Sequence, residues 1–232
     1  MCDAILQCCT LVQVIVKIAS IELTPGHSRY DGGTWHVEGT ARERIVATII
    51  AYLDSDNVSE SRLAFRTSTD EESISYEQND ENGVRQIYGI ENGDSMSQAA
   101  GTVVCAAGRV ICFPNTMQHC VRPFALADAS RPGHRKIAVF FVVDPTVHVT
   151  STREVPPQQR AWWYEETGFL ARLQQVGLPL ETRQKIDSYL EFPFTRAQAE
   201  AYREELMAER ALAKVEDEDE DVYEQHFSLC EH

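Results

Sequence analysis

The sequence predicts a mainly β domain, a sandwich or jelly roll, with helices appended behind it. Two patterns carry the prediction. About eight short apolar segments of strand length fill the first two thirds, and helical segments follow the break at Pro156-Pro157. A length of 232 residues fits one domain plus an extension, with 43% hydrophobic and 25% charged residues, ordinary for a globular chain.

The elements follow in order. In Val12–Leu23, Val12, Val14, Val16 and Ile18 share one face while Gln13 and Lys17 lie on the other, the period of two of a strand. Thr34–Gly39 is short and extended. Ile45–Leu53 is nearly all apolar, as expected of a strand covered on both faces. Ser61–Thr67 is the next strand. Residues 70–101 are acidic, polar and weakly patterned, and are expected to form a long excursion with little core. Gly101–Ala106 and Arg109–Phe113 flank Ala107-Gly108 and read as a hairpin. Cys120–Leu126 and Lys136–Val143 complete the β core, which is assigned to residues 1–155. Gln158–Gln175, Leu180–Leu190 and Thr195–Lys214 read as helices, the last capped by Thr195, and make residues 156–214 a helical extension. Residues 215–232 are expected to be a disordered acidic tail.

Charge narrows the functions. The chain has 36 acids and 21 bases, a net charge of −15. The tail holds eight acids and no Lys or Arg, which leaves 28 acids against 21 bases, a net of −7, for residues 1–214. An acidic surface without a basic stripe argues against nucleic-acid binding. No apolar run approaches the roughly 20 residues of a membrane span, and Ala4–Ile21, broken by Gln7, Gln13 and Lys17, lacks the features of a signal peptide. The seven Cys include adjacent Cys8-Cys9, with Cys105 and Cys112 in apolar runs and no pair at zinc-ligand spacing, so reduced thiols in an intracellular, cytoplasmic setting are expected. A docking role of the tail towards a basic partner is the minority alternative to simple solvation.

Two constellations point to chemistry. In Trp35-His36-Val37-Glu38-Gly39, residues two apart in a strand project to one face, so His36 and Glu38 can converge on one metal ion. With seven His in this composition roughly one His-x-Asp/Glu is expected by chance, and a hydrogen-bonded histidine at a strand edge is the bland alternative. Later, Phe113-Pro114-Asn115 turns into Gln118-His119-Cys120, placing His119 at the entry of one late strand and Arg135 at the entry of the next. Arg135 shares a face with Ile137, Val139 and Phe141, and a guanidinium on an apolar face is costly unless it meets an anion, such as the carboxylate of a dicarboxylic co-substrate or an acid in a structural salt bridge. Trp35, Arg66, Asn115 and Gln118 are candidate supports of the site. His134, on the opposite face from Arg135, reads as structural.

The order His-x-Glu, a distal His after a Phe-Pro turn and an Arg one strand later resembles the 2-oxoglutarate/iron(II) oxygenases. More closely, the stretches Leu11–Pro25, Gly33–Gly39, Ile45–Asp54, Ser61–Arg66, Gly108–Pro123, Pro132–Pro145 and Val155–Trp163 are similar to the C-terminal part of a largely fungal family classified as a domain of unknown function. Members of that family are usually much longer, which implies that a large N-terminal region is missing here. The oxygenase resemblance implies a double-stranded β-helix core. It also implies a dioxygenase that couples decarboxylation of 2-oxoglutarate to succinate with oxidation of a substrate by O2. His36, Glu38 and His119 would hold Fe(II), and Arg135 would bind 2-oxoglutarate. Glu38 stands where most of those enzymes have Asp. A metal-binding β-helix that does not use 2-oxoglutarate, and a degenerate barrel serving as an interaction module, are the alternatives.

Overall fold

A computed structural model describes residues 11–69, 74–77, 79–218, 223 and 225–229. Cys8-Cys9, residues 70–73 and part of the acidic run lie outside the described residues. The chain forms two compact units, residues 1–147 with 217–232, and residues 148–216.

The first unit is built on antiparallel sheets. Strands β1 (Val14–Leu23), β3 (Ile45–Asp56), β6 (Val110–Pro114) and β9 (Gly133–Val143) form one sheet in the order β1-β9-β3-β6. Strands β4 (Arg62–Ser68), β5 (Ser97–Val104) and β7 (Gln118–Val121) form a second in the order β5-β4-β7. A two-stranded piece joins β2 (Arg29–Tyr30) to β8 (Phe124–Ala125). One core cluster draws on both large sheets: Ile50, Tyr52, Phe113, Val139 and Phe141 come from the first, Leu63 and Phe65 from the second. The two sheets therefore face each other across shared apolar side chains, and that burial drives their pairing.

Several expectations change. Thr34–Gly39 is not a strand of its own; it touches β7 through one antiparallel bridge, His36 with His119, and through the Gly33 N–H donated to the Val121 carbonyl at 2.9 Å. The two segments around Ala107-Gly108 are not a hairpin, because β5 pairs with β4 and β6 pairs with β3. The turn instead hands the chain from one sheet to the other, closed by the Arg109 N–H on the Ala106 carbonyl. On β1, Val14, Val16 and Ile18 are exposed while Ile15 packs on the core. Both faces of that strand carry apolar residues, so its periodicity alone does not say which one is covered.

The stretch 70–101 is not poor in core. It carries helix α1 (Glu81–Tyr88), whose first turn is capped by the Asp80 carboxylate accepting from the Gly83 N–H. Ile74, Val84, Ile90 and Met96 form a separate buried cluster there. The fifth member, Phe227, comes from the expected disordered tail and is 1% exposed. The acidic composition hid this because one aromatic residue suffices to anchor a short segment in an apolar pocket.

The second unit is helical: α2 (Arg160–Thr167), α3 (Phe169–Gln175), α4 (Leu180–Ser188) and α5 (Arg196–Glu218), the last running on past residue 216. The helix expected over Gln158–Gln175 is broken at Gly168, whose φ of 60° favours glycine and stops α2. Trp163 packs on Tyr164 and Phe169 within this unit. Thr195 caps α5 as expected: Gln198 N–H donates to its hydroxyl at 3.3 Å, and the Gln198 side chain accepts from the Thr195 N–H at 3.0 Å. Among the described residues no helix is long and apolar enough to cross a membrane.

Candidate metal centre

The His36–His119 bridge sets the geometry. Each residue donates its backbone N–H to the other's carbonyl, at 3.2 and 3.0 Å, so the two side chains emerge from neighbouring strands at one level. Their rings lie 4.5 Å apart between centroids. Glu38, two residues on, returns to the same face. Its Oε1 is 3.3 Å from His119 Nε2 and 3.8 Å from His36 Nε2. One donor atom of each residue lies within 4.8 Å of the other two. Metal bonds of about 2.0–2.2 Å place neighbouring donors roughly 3–3.5 Å apart, so two imidazoles and a carboxylate at these spacings fit a divalent transition metal after small side-chain adjustments.

The surroundings prepare each donor. His36 Nδ1 donates to the Thr34 carbonyl at 2.8 Å, which orients the ring with Nε2 towards Glu38. His119 is 3% exposed between the rings of Phe113 and Phe65, at 4.8 and 6.4 Å, and its Nδ1 finds no hydrogen-bond partner. Burial pushes the Glu38 carboxyl up, but the hydrogen bond from His119 and the charges of His36, His119 and Lys17 outweigh it and hold the group below the usual carboxylate range. The carboxylate is thereby kept ionised, the form a metal requires. Lys17 shares its face of β1 with Ile15, opposite Val14, Val16 and Ile18; nothing in its local spacing singled it out.

The backbone of Glu38 is clamped by Asn115. Asn115 Oδ1 accepts from the Glu38 N–H at 2.8 Å, while its Nδ2 donates to the carbonyls of Glu38 at 2.9 Å and Ile45 at 3.1 Å. The next residue, Gly39, has φ 76°, and a Cβ there would sit 2.6 Å from Ile45 Cδ1, so the turn after the carboxylate demands glycine. Asn115→Ala is expected to weaken divalent-metal binding about 10- to 100-fold, the usual cost of losing a group that orients a ligand. Calorimetric titration with Co(II) checks this, and unchanged affinity would exclude the clamp from the site.

Arg135 is 3% exposed, on β9 opposite Ile21 and Ser55. Its Nη1 donates to Ser61 Oγ at 3.1 Å, its Nε has no hydrogen-bond partner among the described residues, and its guanidinium lies 5.6 and 5.2 Å from the ring centroids of Tyr52 and Phe124. Among the described residues no acid lies within ion-pair distance of it. The structural salt bridge considered from sequence is therefore not formed, and a buried cation is left with a hydroxyl and two aromatic faces. Tyr52 itself accepts a hydrogen bond from Cys105 Sγ at 3.0 Å, and burial pushes its phenol up. His134 bonds Asp54 at 2.7 Å on the other face of β9, as a structural residue. Ser61, Tyr52 and Thr34 went unread in the sequence because their roles depend on contacts across strands.

The protein family described as "Protein of unknown function (DUF4246)" matches residues 7–166, more than half of the chain. No curated protein matches. Among solved structures, the Fe(II)/(alpha)ketoglutarate-dependent dioxygenase TqaL is similar at 15% identity and a TM-score of 0.35, over 60% of this chain and 44% of that one. A Bacillus endospore appendage, of a family of disulfide-linked pili, is similar at 12% identity and a TM-score of 0.25, over 59% of this chain and 96% of that one. The chain spans less than half the length of the first of these two, and neither overlay is tight enough to bear on function.

Proposed function

We propose that the chain, which belongs to the family of unknown function DUF4246, is a non-haem Fe(II)- and 2-oxoglutarate-dependent oxygenase on a double-stranded β-helix. The observation that carries this reading is the convergence of His36, Glu38 and His119 in a β unit that also buries Arg135 with no acid partner among the described residues. Two imidazoles and one carboxylate leave coordination positions open, as such an iron site requires.

Strand pairing supports the β-helix. Counting the His36 segment as the second strand and setting the short β2 and β8 aside, the first of eight pairs with the last (β1 with β9). The second then pairs with the seventh (His36 with His119 on β7), the third with the sixth (β3 with β6), and the fourth with the fifth (β4 with β5). A chain doubled on itself and wound as one antiparallel pair, the plan of a jelly roll, would give this nesting.

When bound, Fe(II) and 2-oxoglutarate would supply the oxidation of a substrate by O2, with 2-oxoglutarate decarboxylated to succinate. The chain's own residues have simpler tasks. His36 and His119 would present imidazole nitrogens to the metal, with the Glu38 carboxylate between them. Arg135 offers a desolvated fork for the far carboxylate of 2-oxoglutarate, where a bidentate pair gains most. Phe65 and Phe113 wall His119 from water. Under anaerobic conditions, Fe(II) plus 2-oxoglutarate is expected to give a weak visible charge-transfer band, and admission of O2 is expected to yield succinate. Absence of both would overturn the reading.

A further inference from the structure

The reverse face of the sheet that carries the site is tied down by the C-terminal segment. Trp35 precedes His36 and Gln118 precedes His119, so both neighbours project to the face opposite the ligands. Arg66 joins them: its Nε donates to Gln118 Oε1 at 2.7 Å and its guanidinium lies 4.9 Å from the Trp35 ring centroid. The same guanidinium also lies 5.4 Å from the ring centroid of Tyr223, whose hydroxyl donates to the Thr116 carbonyl at 2.5 Å. One cation thus meets two aromatic rings, one next in sequence to His36 and the other delivered from beyond residue 218.

The segment is anchored independently. Ser95 and His226 form an antiparallel bridge, Met96 N–H donates to the Gln225 carbonyl at 2.9 Å, and Phe227 exchanges backbone hydrogen bonds with Asp94 and Gly93 at 2.8 Å each. Phe227 fills the pocket of Ile74, Val84, Ile90 and Met96, with the Tyr76 ring edge-on at 5.7 Å.

We propose that this C-terminal strap is a positioning element of the metal centre: Phe227 seats it, and Tyr223 holds Arg66 so that Trp35 and Gln118, and through them His36 and His119, keep their spacing. Arg66 and Tyr223 are positioning residues that touch neither metal nor substrate. The inference rests on the metal reading above. It turns Tyr223 and residues 225–229 from part of an expected solvated appendage into support of the site.

Co(II) titration of the full chain tests it, read by calorimetry and by the visible ligand-field spectrum, with thermal melting in parallel. Tyr223→Ala is expected to weaken Co(II) binding about five- to tenfold and to shift the spectrum, an effect below that of a group bonded directly to a ligand. Phe227→Ala is expected to act in the same direction, while Tyr223→Phe, which keeps the stacked ring, stays near wild type. If Tyr223→Ala and Phe227→Ala lower only the melting temperature and bind Co(II) with wild-type affinity and spectrum, the strap is merely structural and the inference fails. If the wild-type chain binds no Co(II), the metal reading falls and takes this inference with it, an outcome distinct from the first.

Discussion

His119→Ala is expected to abolish stoichiometric metal binding while leaving a folded protein. Without it, the remaining donors, His36 and Glu38, both sit on one extended segment that meets β7 at the His36–His119 bridge and the Gly33–Val121 hydrogen bond. The affinity loss should exceed the 10- to 100-fold that removing a supporting residue costs, since here a coordinate bond disappears. The substitution opens a void beside Phe65 and Phe113, but it also removes a buried Nδ1 that has no hydrogen-bond partner, so the two effects on stability oppose each other. Metal analysis after reconstitution, with circular dichroism as the control for folding, reads the outcome. One equivalent of tightly held metal in folded His119→Ala would remove this histidine from the site. His134→Ala is the matched comparison, since that imidazole is engaged with Asp54 on the other face of β9 and should leave metal content unchanged.

Arg135→Met is expected to separate the metal from the co-substrate. Co(II) or Fe(II) should bind as in wild type, because Arg135 packs against Ser61, Tyr52 and Phe124 and not against His36, Glu38 or His119. Affinity for 2-oxoglutarate should fall about 10- to 100-fold, the worth of a charge-assisted bond of about 1.5–3 kcal/mol. The ligand-free protein should be no less stable than wild type. A buried cation with an orphaned Nε and no acid partner costs desolvation that an apolar side chain of similar length does not. A ligand-induced rise in melting temperature, present in wild type and absent in the variant, is the measurement. An undiminished rise would mean that the anion binds elsewhere, and would favour a metal protein that does not use 2-oxoglutarate at this position.

Much of the site was legible in the sequence because its residues sit close together or at strand entries. His36 and Glu38 share a face by alternation alone, and Phe113-Pro114-Asn115 marks the turn that delivers His119. What escaped reading depends on register between distant segments. The hairpin expected around Ala107-Gly108 failed because a turn glycine shows that the chain reverses, not which sheet it enters. The covered face of β1 was ambiguous because Val14, Val16 and Ile18 on one side compete with Ile15, Ile21 and Leu23 on the other. The return of Phe227 was hidden by the charge around it. No local pattern reveals that one ring finds a pocket more than a hundred residues upstream.

The pairing of first strand with last also has a kinetic side. Val14 meets Val142, 128 positions later, and among the described residues β9 is the one strand that β1 pairs with. Contacts so distant in sequence cost loop-closure entropy before they stabilise anything, which makes the pairing of β1 with β9 a slow, late event in folding. Until residue 143 is available, β1 has no hydrogen-bonding partner and presents Val14, Val16 and Ile18 to whatever is nearby. The metal donors inherit the same timing. His36 and His119 meet only when the second and seventh strands pair, so an ion can enter only after the chain has closed, and once there it links two points 83 residues apart. Metal bound at such a cross-chain junction would act less as a template for folding than as a brake on unfolding.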